Sequence, residues 1–93
     1  MNYTRGSVVL ATAGRDQEGL FFVVGSDEGR LLLADGKGRT LDHPKRKNPA
    51  HVHPVPAEGF DHPVISKLQE GTPVTNRELR KALAAFKEGK HLG

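Results

Sequence analysis

The apolar positions of this chain crowd into its first third, where short runs of Val, Leu and Phe alternate with polar breaks that contain glycine. Within residues 6–12, Val8, Val9 and Leu10 predict a strand buried on both faces or nearly so, because the run is short, β-branched and bounded by glycine. The break from Ala13 to Gly19 carries two glycines and Asp16, and reads as a loop. Leu20 to Gly25 predicts a second strand, residues 26–29 a polar turn closing on Gly29, and Arg30 to Asp35 a third strand. The leucines of that third run invite a helix, but six residues caught between glycine turns are too few for a stable one. Gly36, Lys37 and Gly38 form another turn, followed by a short fourth strand at Arg39, Thr40 and Leu41 that Pro44 limits. Residues 45–48 read as a basic connector, and Ala50 to Val55 alternate as a half-buried edge strand would. Five short strands in this span predict a small closed barrel, since closure removes the exposed edges that such strands otherwise leave.

The pattern changes after Pro54, where Pro, Ala, Glu and Gly mark a linker. Asp61 or His62 can cap a short helix with Pro63 in its first turn, running through Val64, Ile65 and Leu68 to Gly71. Thr75 and Glu78 have the spacing of a capping box, which places a helix start at Asn76. Leu79, Leu83 and Phe86 recur at helical spacing with Ala82 beside them, and Gly89 offers a stop. The expected architecture is therefore mainly β: a five-stranded barrel over residues 3–55, then a linker and two short α-helices over residues 56–93. The helical stripe is expected to pack back on the barrel, with docking on a partner, or on RNA through Arg77, Arg80 and Lys81, as the other reading.

Length and composition narrow the function classes. A chain of 93 residues holds one modest core, and the absence of cysteine excludes disulfides and thiolate metal sites. No apolar run approaches the roughly 20 residues of a bilayer span, and the first residues lack the apolar stretch of a signal peptide, so a cytoplasmic monomer without membrane contact is expected. The net charge of +3 says little by itself. Its placement says more, because Lys37, Arg39, Lys45, Arg46 and Lys47 face the single acid Asp42 between Lys37 and Asn48.

The valine-rich first run, then Ala13-Gly14-Arg15-Asp16, Gly19 and the apolar stretch from Phe21 to Val24, resemble the KOW motif of ribosomal proteins and transcription elongation factors. Asp35-Gly36 and the run Lys45-Arg46-Lys47-Asn48-Pro49-Ala50-His51-Val52 extend the likeness, over about residues 5–54, to the archaeal and eukaryotic large-subunit ribosomal protein family L-fourteen-e and to small bacterial KOW-domain proteins of that type. The resemblance implies an SH3-like barrel that binds ribosomal or other structured RNA, in or beside the large ribosomal subunit. Gln17-Glu18 stands where the motif commonly carries lysine, and a short segment ending in the Thr75-capped helix replaces the family's long C-terminal extension.

RNA binding needs converging cations for phosphates and glycines that admit close approach of the backbone. The residues assigned to it are Arg15, Lys37, Arg39, Lys45, Arg46, Lys47, Asn48 and His51. Few aromatics are available for base stacking, which favours a folded RNA over a single strand. His51 and His53 would share a strand face, but two histidines without further ligands fall short of a metal site, and no metal or other cofactor is expected. Ser7, Ser26 and Ser66 stand in no nucleophile motif and no carboxylates are paired by one, so the chain is not read as an enzyme. The competing class is a protein-interaction module of the transcription or translation machinery.

Overall fold

The computed structural model describes residues 3–11, 19–55 and 62–92, the last four of these by their backbone alone. The strands are β1 (Val8–Ala11), β2 (Leu20–Asp27), β3 (Arg30–Ala34), β4 (Lys45–Lys47) and β5 (Val52–Pro54), followed by helices α1 (Pro63–Glu70) and α2 (Asn76–Leu92). They form one antiparallel sheet in the order β4-β3-β2-β1-β5, so β4 and β5 stand at opposite ends of the order.

Pairing of Val8 with Phe22, and of Phe22 with Ala34, puts these three on one face of the sheet. There they join Val64 and Leu68 of α1 and Leu79, Ala82, Leu83 and Phe86 of α2 in one buried cluster. The adjacent register positions, Val9 with Phe21 and Val23 with Leu33, fall on the other face and join Ala11, Leu31 and Val52 in a second cluster, with Tyr3 packed against it. Two apolar faces explain why these strands read as nearly continuous hydrophobic runs rather than alternating ones. Each fully buried large side chain, such as Phe22, Leu33 or Leu79, contributes about 1.5–3 kcal/mol relative to exposure.

Local chemistry sets most boundaries. Asp27 pairs with Arg30, leaving Glu28 and Gly29 as a two-residue turn with φ of 49° and 80°. Positive φ at both positions matches the right-handed twist of the flanking strands. The second strand therefore extends two residues beyond the expected Gly25, with a bulge between Val23 and Gly25. His62 caps α1, its Nδ1 accepting from the Val64 N–H at 3.2 Å, and the Gly71 N–H returns to the Leu68 carbonyl. Before α2 the Glu78 N–H donates to Thr75 Oγ1 at 3.2 Å and the Thr75 N–H to Glu78 Oε1 at 3.0 Å, the reciprocal bonds expected of a capping box.

Several expectations are corrected. The fourth strand is Lys45–Lys47 and not residues 39–41, for a reason given below. The edge strand expected from Ala50 begins only at Val52, because Pro49–His51 form a single 3-10 turn with Asn48 as its cap. His51 and His53 consequently share no strand face. Helix α2 runs past Gly89 to Leu92, and its 17 residues make it longer than any strand, so it is not short and the fold is mixed rather than mainly β. A lone glycine disfavours a helix by only about 1 kcal/mol and does not by itself end one. The loop expected at residues 13–19, with Arg15, and most of the expected linker lie outside the described residues apart from Gly19, Pro54 and Val55.

Candidate nucleic-acid interface

The basic segment divides at Pro44 into two stretches that the fold treats differently. In the first, residues 35–41 do not pair as a strand because the side chains of Asp35 and of Asn76 in α2 take up its amides. The Asp35 carboxylate accepts from the Lys37 and Arg39 N–H groups, each at 2.9 Å, while the Asp35 and Gly36 N–H groups both donate to the Arg39 carbonyl. The Leu41 N–H donates to Asn76 Oδ1 at 2.8 Å. Arg80 Nη1 donates to the Gly36 carbonyl at 2.6 Å. Gly36 has a φ of 81°, and a Cβ there would overlap the carbonyl oxygen of Asn76. The loop is thus clamped onto the first turns of α2, with Lys37 exposed and Arg39 half-buried.

In the second stretch the cations belong to strand β4, and strand geometry sends alternate side chains to opposite faces. Lys45 pairs with Leu33 and Lys47 with Leu31, so both lie at the margin of the second core cluster. Lys47 is 8% exposed and is in effect an interior residue. Arg46 points the other way and forms an ion pair at 2.9 Å with Asp27, at the end of β2 on the far side of β3. Asn48 accepts from the Ala50 N–H at 2.9 Å as the cap of the 3-10 turn, and His51 is exposed at the end of that turn. The segment expected to present one basic surface instead splits its cations between two faces, and Asn48 serves as a cap.

On α2, Arg77, Arg80, Lys81 and Lys87 are exposed. At about 100° per residue, Asn76, Arg80 and Lys87 fall within about 40° of one another. Asn76 and Arg80 bond the 35–41 loop, so this is the flank that meets it. The opposite flank carries Glu78, which receives Lys67 of α1 at 2.6 Å. That ammonium, followed by the Thr75 N–H, holds the Glu78 carboxyl below its ordinary pKa. The sequence gives no local signal for the contact between loop and helix, since its partners are 35 and 44 residues apart.

A separate open groove of about 970 Å³ runs between the N-terminal segment, the β2 bulge and the end of α1, lined among others by Tyr3, Arg5, Val24, Leu32 and Glu70. Arg5 reaches Gly71, whose Cβ position lies 3.5 Å from its Nη1, and so places a cation at the negative end of α1. Among the described residues no three His, Asp or Glu side chains gather as a metal site requires, and no helix is long and apolar enough to cross a membrane. In comparison with known proteins, the chain matches no family model and no curated protein.

Proposed function

We propose that this chain is an RNA-binding protein of the KOW type, acting on ribosomal or other structured RNA, and that its strands form an SH3-like barrel. The observation that carries the reading is the position of the basic segment: Lys37 and Arg39 sit on a loop whose acid, Asp35, is turned inward onto backbone amides, and that loop leads into the basic edge strand β4. A carboxylate engaged by two N–H groups competes less with phosphate for the neighbouring cations. Closure of the sheet is supported by its second face, which is buried although no helix residue belongs to its cluster among the described residues, and by the β2 bulge, which bends and twists a strand. Cytoplasmic placement and association with the large ribosomal subunit belong to the same proposal.

The test is binding of the purified chain to extracted ribosomal RNA across a salt series. Affinity should fall linearly on logarithmic axes with a slope of several units, since each neutralised phosphate contributes about 0.7–0.9. Salt-independent binding to a protein partner, with no RNA retained, would support the interaction-module reading in its place. Charge reversal at Lys47 is unsuited to this purpose, because an interior position confounds binding with stability.

A further inference from the structure

Resting on the RNA-binding reading, we infer that the principal contact surface is not the edge strand but a composite of the 36–39 turn and the outer flank of α2, and that it fits the sugar-phosphate backbone of double-helical RNA. Lys37 and Arg39 come from the turn, and Arg77, Lys81 and Lys87 from the helix, with the Arg80 guanidinium and the Asn76 amide joining the two. The absence of a Cβ at Gly36 permits this approach and holds the two sets of cations in a fixed relation. Preorganised cations lose less side-chain and loop freedom on binding than cations on an untethered loop.

The charges on α2 are segregated. The flank toward α1 carries the acid Glu78, already paired with Lys67, whereas the flank toward the loop and the solvent-facing arc carry Arg77, Arg80, Lys81 and Lys87 against the single exposed acid Glu88. Among the described residues, Asp42 is the exposed acid that follows the loop in sequence. From Arg77 to Lys87 the helix rises about 15 Å, enough to follow several phosphates. The β4 cations offer no comparable surface, given the pairing of Arg46 and the burial of Lys47.

The class of RNA follows from the aromatics. Phe21, Phe22 and Phe86 are buried in the core clusters, and half-buried Tyr3 packs against the second cluster and donates to the Val52 carbonyl at 3.4 Å, so no described Phe or Tyr side chain is fully exposed as a platform for an unstacked base. Single strands are gripped largely by such stacking, whereas duplex RNA is read through phosphates, 2′-hydroxyls and shape.

The experiment compares wild type with the triple variant Lys37→Gln, Arg77→Gln, Lys81→Gln, chosen because all three side chains are exposed and Arg80, which holds the loop, is kept. The probes are a fully paired RNA hairpin and an unstructured oligocytidine, each titrated over a salt series, with thermal unfolding as the fold control. Wild type should prefer the hairpin, and the variant should bind it about tenfold or more weakly, with a salt slope smaller by about 2–3 units and an unchanged melting temperature. Unchanged hairpin affinity and slope in the variant would overturn this surface and leave RNA binding standing. A wild-type preference for oligocytidine would overturn the duplex assignment. Failure of wild type to bind either RNA would overturn both this inference and the reading on which it rests.

Discussion

The two stretches of the basic segment carry similar residues and meet opposite fates. Around Gly36 the backbone makes no strand pairs, and its polar groups are taken up by Asp35, Asn76 and Arg80, which leaves the loop as a rigid platform with a cation at its tip. Around Arg46 the backbone pairs with β3, and the side chains are absorbed by the sheet, one into an ion pair and two at the core margin. A run of Lys and Arg in sequence thus says where charge is concentrated, while the local backbone decides how much of it faces a partner.

The sharpest way to break this contrast is to disturb the platform. Gly36→Ala forces a Cβ into the Asn76 carbonyl at a positive φ, and should cost about 3 kcal/mol or more, measured from the denaturant midpoint. Gly38→Ala, two residues along the same turn, meets nothing within 4 Å and should shift stability by less than about 0.5 kcal/mol. Equal effects at the two positions would mean that the loop is not held against α2.

A smaller effect is expected at the helix end of the clamp. Asn76→Ala removes the acceptor for the half-buried Leu41 N–H and should cost about 1–3 kcal/mol. It should also speed amide exchange at Leu41 more than at Leu33, which belongs to β3. Uniform acceleration at both amides would assign the loss to general destabilisation and not to the loop.

These partners also mark the limit of what the chain discloses before it folds. The Thr75 and Glu78 cap, the stop at Gly71 and the apolar stripe of Leu79, Leu83 and Phe86 were legible because each depends on residues within a few positions of one another. The site was legible only as a concentration of charge. Residues 39–41 resemble a strand as well as residues 45–47 do, and what decides between them is an asparagine 35 residues beyond Leu41 and an aspartate whose carboxylate caps its own loop. The extent of α2 past Gly89 escaped for a different reason, since a lone glycine disfavours a helix by only about 1 kcal/mol and does not by itself end one.

The mildest test lies on the β4 side. The Arg46 and Asp27 side chains are 61% and 43% exposed, so their ion pair is solvated and screened. A double-mutant cycle with Arg46→Gln and Asp27→Asn should return a coupling of about 0.2–1 kcal/mol, shrinking as salt is added. For RNA the expectation differs between the single variants. Asp27→Asn releases Arg46 from its partner and should raise hairpin affinity slightly, whereas Arg46→Gln should leave it nearly unchanged, because that guanidinium is already engaged. A loss on Arg46→Gln as large as that of the loop and helix triple variant would reverse the contrast and make the edge strand the dominant contact.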